Sequence, residues 1–143
     1  MSFNWSNYLI IAKEACERAN GADPGKEAKY RSAISRAYYG ALCSARNYLM
    51  KHKITLRNDE SLHAQIINEF SNNKNKTWQQ IGLNLDRLRK SRVKADYHNE
   101  YCVNKRPCRN LASEVIISIS HSEGIIANLN RLDSTDTTET NVN

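Results

Sequence analysis

Between Lys26 and Lys51, the residues Tyr30, Ile34, Ala37, Ala41, Ala45 and Tyr48 recur at steps of three and four, and only Gly40 interrupts them. A pattern that returns to one face at that spacing over about five turns belongs to a long amphipathic helix, not to a strand. Ala33, Ala37, Ala41 and Ala45 leave room for a second helix to approach closely, while Tyr38 and Tyr39 supply bulk beside them.

The rest of the chain follows the same period. Trp5, Leu9, Ala12, Cys16 and Ala19 predict a first helix from Trp5 to Arg18, ended by Asn20-Gly-Ala-Asp-Pro-Gly25. Asn58-Asp-Glu-Ser61 reads as the cap of a shorter helix through Leu62, Ile66, Ile67 and Phe70, which the polar run Asn72 to Lys76 breaks. Trp78, Ile81, Leu85 and Leu88 define a third long helix with Arg87, Lys90 and Lys94 on its other face. A last helix follows Pro107, with Leu111, Val115, Ser118 or Ile119, Ser122, Ile126 and Leu129 turned inward. The expected fold class is all-α, an antiparallel bundle of four to five helices over residues 1–132. Asp133 to Asn143, rich in Thr, Asn and acid with almost nothing to bury, is expected to be a disordered polar tail.

Charge narrows the partners. Setting aside the tail's three acids, Asp133, Asp136 and Glu139, raises the formal charge from +6 to +9 on the remainder, a balance suited to RNA or another anion. No apolar run approaches the roughly 20 residues of a membrane span, and the start lacks a basic head followed by an apolar core, so no membrane association and a cytoplasmic location are expected. Cys16, Cys43, Cys102 and Cys108 are expected to be reduced structural thiols, since the one close pair, Cys102 and Cys108, is spaced too widely for a zinc knuckle. No metal and no cofactor are expected.

Chemistry concentrates near the end of the third long helix. Arg87, Arg89, Lys90, Arg92 and Lys94 precede Asp96, Tyr97 and His98, so an anion should dock there, and His98 adds a group that takes and gives protons near neutrality. On an unbroken helix, positions 92 and 98 sit about 240° apart, so their joint action requires the helix to end or kink between them. The competing reading is a solvated basic helix end with a capping histidine. Arg31 and Arg36, among the tyrosines of the second helix, could reach a phosphate or stack on the rings. Tyr38 and Tyr39 read as core, with base stacking as the other option. His52, His63 and His121 lack a ligand partner at helical spacing and are taken as surface or cap residues, with His63 partly buried.

Taken together, Trp5-x-x-Tyr8-Leu9, Glu27-x-x-Tyr30-Arg31-Ser-Ala-Ile-Ser35-Arg36-Ala-Tyr38-Tyr39 and Leu88-Arg-x-x-Arg92-x-x-Ala95-Asp96-Tyr97 resemble the HEPN superfamily of small helical domains, over residues 5–131. The subgroup most similar carries Arg-x-x-Ala-Asp-Tyr and accompanies nucleotidyltransferase-like partners. The resemblance implies a homodimer whose two Arg and His motifs line one cleft, and a metal-independent RNA endonuclease of toxin or defence type. On that reading Arg92 and His98 are catalytic. Asp96, Tyr97, Arg31, Arg36 and Arg89 bind substrate or support them. Val93 stands where active members place a polar residue, which implies the alternative, a non-catalytic nucleotide-binding, RNA-binding or adaptor module pairing with a nucleotidyltransferase. Tyr97 or Tyr101 would then be a site for modification by that partner.

Overall fold

The computed structural model describes residues 2–18, 25–58, 60–101 and 110–141. A 3-10 turn, Trp5–Asn7, leads into α1 (Tyr8–Arg18), α2 (Lys26–Lys51), α3 (Leu62–Ser71), α4 (Lys76–Tyr97) and α5 (Leu111–Asn141). The described residues contain no strand, so the all-helical expectation holds.

The periodic face of α2 makes it the hub. It packs on α1, α4, α5 and, through fewer contacts, α3. Ala37, Ala41 and Ala45 are fully buried, as the small-residue stripe requires. Two apolar clusters result. One gathers Tyr38, Leu49, Phe70, Leu85, Leu88 and Ile125, and the other Leu9, Ile34, Ala95, Val115 and Ile119. Each large side chain so buried contributes about 1.5–3 kcal/mol.

Local chemistry sets the helix ends. Ser61 Oγ accepts from Ala64 N at 3.4 Å, Asn75 Oδ1 from Thr77 N and Trp78 N at 2.8 and 3.2 Å, and Asn110 Oδ1 from Ser113 N at 2.7 Å. These satisfy amides that have no partner within their own helix. α2 closes differently: Lys53 N donates to Met50 O and Ile54 N to Leu49 O, both at 3.0 Å, with Lys53 at φ 61. That is a Schellman motif whose left-handed position holds lysine in place of glycine. α3 and α4 approach so closely that a Cβ on Gly82 would lie 2.6 Å from Ser71 N and 2.9 Å from Ser71 Cα.

Several expectations need correction. Trp5 lies in the 3-10 turn, capped by Asn4, and the α-helix starts at Tyr8. In α5 the buried residue is Ile125, while Ile126 is partly exposed. α5 continues past Asp133 to Asn141, and Asp133 Oδ1 accepts from Lys51 Nζ and pairs with His52 Nε2 at 3.4 and 3.5 Å. Tyr101 is buried. Cys16 and Cys43 are free thiols, and burial pushes the Cys43 thiol up; Cys102, Pro107 and Cys108 lie outside the described residues. No helix among the described residues is long and apolar enough to cross a membrane.

Candidate phosphate site

Arg92 projects from α4 into a collar of rings. Its Cζ lies 5.1 Å from the Tyr39 centroid, 5.4 Å from that of Tyr97 and 5.9 Å from that of Tyr38. Nε donates to Asp96 Oδ2 at 2.8 Å, and Nη2 to Tyr97 Oη at 3.5 Å. Asp96 Oδ2 also accepts from Ser35 Oγ at 3.4 Å. Only 16% of the Arg92 side chain is exposed. Burial works against its charge, but Tyr39, Asp96 and Tyr97 outweigh it, and the guanidinium pKa is raised. The result is a fixed, oriented cation with Nη1 still without a hydrogen-bond partner among the described residues. Anions, phosphate above all, are what such a fork recognises.

The other expected residues divide between helping this site and leaving it. Arg89 sits close enough to influence both Tyr38 and His63 electrostatically. Tyr97 keeps 70% of its surface exposed and forms the open wall. Arg31 is spent on structure: Nη1 donates to the carbonyls of Lys94, Ala95 and His98 at 3.3, 3.1 and 2.6 Å, and Nη2 to that of Asn99 at 3.1 Å. Glu27 holds it from behind at 3.1 Å. Arg31 thus satisfies carbonyls at the negative end of α4. Arg36 points elsewhere, stacked at 4.9 Å over Tyr8 of α1. Neither guanidinium shares a hydrogen bond or a ring with Arg92 among the described residues.

His98 does not join Arg92 within one chain. α4 continues unbroken through Tyr97, and His98 is its C-cap, with its N–H donating to Lys94 O at 3.1 Å. Its exposed side chain borders a shallow hollow of about 420 Å³ together with Asp86, Arg89, Lys90, Val93 and Lys94. No contact joins the Arg92 and His98 side chains among the described residues. The helix ends at residue 97, too late to swing His98 onto the face of Arg92.

His63 is partly buried on α3, as expected, but its partner is not legible in the sequence: it is stacked on Tyr38, centroids 5.7 Å apart, with Nδ1 2.6 Å from Tyr38 Oη. Burial, then Arg89 and Arg92, lower its pKa, while burial raises that of Tyr38. Its neighbours in the sequence give no sign of this, because Tyr38 is on a different helix. A periodic reading that laid the ring face of α2 beside α3 would have been needed. Tyr38 is fully buried, as the core reading of these two rings has it, and both rings also lie against the Arg92 guanidinium.

The described residues contain no cluster of three or more His, Cys, Asp or Glu side chains able to hold a metal. No protein-family model, no curated protein and no solved structure matches this chain.

Proposed function

We propose that this chain is a HEPN-type, metal-independent RNA endonuclease that works as a homodimer, with Arg92 as its phosphate-binding centre. The observation that carries the reading is the largely shielded Arg92 guanidinium, oriented by Asp96 and three tyrosines, on the most cationic stretch of the chain. Electrostatic stabilisation of that preorganised kind is worth about 3–4 kcal/mol per donor in enzymes that use it. The RNA 2′-hydroxyl attacks the adjacent phosphorus, and Arg92 stabilises the charge growing on the phosphoryl oxygens. His98 of the second subunit supplies a proton-transferring imidazole, since one chain keeps its own His98 away from Arg92. Arg89 draws the RNA in, and Asp96 and Tyr97 hold Arg92 in register.

The test is RNA cleavage in excess EDTA with identification of the ends. Products carrying 2′,3′-cyclic phosphate and 5′-hydroxyl, lost in Arg92→Ala and in His98→Ala, support the reading; cleavage that neither substitution changes contradicts it.

A second reading is favoured by the separation of Arg92 and His98 and by Val93 lining the hollow beside His98. In it the domain binds RNA or a nucleotide without turnover, as the partner of a separate nucleotidyltransferase. Tight RNA binding by a wild-type protein that never cleaves would select it.

A further inference from the structure

Cleavage by 2′-hydroxyl attack moves two protons. One leaves the 2′ oxygen as it bonds to phosphorus, and another must reach the 5′ oxygen as its own bond to phosphorus breaks. The proposed site names one imidazole, His98. The chain holds another.

His63 and Arg92 share two walls. The imidazole centroid lies 5.7 Å from Tyr38 and 6.0 Å from Tyr39, the rings that Arg92 Cζ approaches to 5.9 and 5.1 Å. Tyr38 Oη holds Nδ1 at 2.6 Å, and Nε2 has no hydrogen-bond partner among the described residues. Tyr38 and Tyr39 from α2, and Arg89 and Arg92 from α4, are the titratable and charged groups that face it. Burial first, and then Arg89 and Arg92, lower the pKa of this imidazole and favour its neutral form. A phosphate that neutralises the arginines would remove the smaller, electrostatic part of that opposition to protonation. Neutral before substrate arrives and readier to take a proton afterwards is the behaviour required of a base.

We propose that His63, positioned by Tyr38, is the general base of the cleavage, with His98 of the second subunit as the acid; the inference rests on the ribonuclease reading above. In the tautomer where Nδ1–H donates to Tyr38 Oη, the Nε2 lone pair takes the 2′-hydroxyl proton. The 2′ oxygen bonds to phosphorus, the bond from phosphorus to the 5′ oxygen breaks, and its electron pair departs with that oxygen, which takes the proton of His98. A 2′,3′-cyclic phosphate and a 5′-hydroxyl result, and the imidazoles regain their starting states by exchange with water.

The test compares ordinary RNA with RNA carrying sulfur in place of the bridging 5′ oxygen at the scissile bond. A thiolate leaves without being protonated, so the sulfur substrate still needs a base but no acid. His63→Asn places an amide nitrogen near the position of Nδ1, keeps a partner for Tyr38 and removes Nε2. It should lose about 100-fold or more in single-turnover rate on both substrates. Its affinity for a 2′-O-methyl analogue should stay within about threefold of wild type. The sulfur substrate should bring His98→Ala back to within about tenfold of wild type, since only the acid is missing there. Should His63→Asn not fold, His63→Gln, whose amide stands in for Nε2 but does not accept a proton near neutrality, tests the loss of the base on the same two substrates. His63 variants within about threefold of wild type on ordinary RNA, or restored by sulfur, overturn the base assignment and leave the ribonuclease reading intact. A wild-type protein that cleaves neither substrate overturns that reading and the base with it.

Discussion

Arg92 Nε lies 2.8 Å from Asp96 Oδ2, one turn further along α4, and the two side chains are only 16% and 28% exposed. The carboxylate spends one edge of the guanidinium in order to aim the other. Because the pair is largely shielded, its loss is expected to cost about 1 kcal/mol of stability, at the upper end for accessible ion pairs. Its functional cost should be larger than that.

Replacing Asp96 with Ala removes a negative charge from the phosphate site and also the brace on Arg92. RNA binding should tighten by about twofold to threefold through the charge, while single-turnover cleavage should fall about tenfold through lost orientation. Fluorescence anisotropy and rapid-quench rates on one protein preparation separate the two. Weaker binding together with unchanged cleavage would show that Asp96 does not position Arg92.

Arg31 is expected to matter for stability. Arg31→Met strips donors from the carbonyls of Lys94, Ala95, His98 and Asn99 and should cost about 2–3 kcal/mol. Lysine, which cannot fork between several carbonyls, should recover less than about half of that. The urea midpoint measures both, and a midpoint unmoved in Arg31→Met would refute the capping role.

Acid should weaken the fold through two histidines. The pKa of His63 is lowered by burial and then by Arg89 and Arg92, and that of His121 by burial and then by Arg87. Each therefore binds fewer protons folded than unfolded. Their contribution is complete above the ordinary value of 6.5 and is lost as pH falls through 6.5 toward the lower folded values. Replacing both with Gln should flatten the decline in urea midpoint between about pH 7 and pH 5. An unchanged slope would contradict the assigned shifts.

Gly82→Ala should destabilise by about 1–2 kcal/mol, because the methyl would press on the backbone of Ser71, which a side-chain rotation cannot relieve. The gain in helix propensity offsets roughly 1 kcal/mol of the clash. Thermal unfolding reads the net sign, and a more stable variant would mean that α3 and α4 separate easily.

How far the sequence discloses this molecule depends on where each residue's partners lie. Tyr30, Ile34, Ala37 and Ala41 answer to their own helix, and their period marks the buried face of α2 without reference to anything else. Asn75 and Ser61 cap amides two or three residues away, so their roles are local too. Arg92 and Asp96 are one turn apart, and the site is legible that far. Arg31 is not, because its acceptors are backbone carbonyls at the end of a distant helix, and a guanidinium that caps carbonyls has the same sequence signature as one that binds phosphate. His63 is hidden for a similar reason: its hydrogen bond crosses from α3 to α2, and nothing at helical spacing in its own segment betrays it. The contacts of Asp133 are hidden likewise, since its salt bridge with Lys51 and its contact with His52 depend on where α2 ends.

The central claim is that one chain keeps Arg92 and His98 apart and that a second copy completes the site. Mixed dimers test it most directly: Arg92→Ala subunits, each inactive alone, are combined with His98→Ala subunits, also inactive alone, and RNA cleavage is measured in EDTA. A shared site rebuilds one intact Arg92 and His98 pair per mixed dimer, so the rate per mixed dimer should return to about half that of a wild-type dimer. Mixed dimers that form, as shown by differential tagging, yet remain as inactive as either parent would contradict the account.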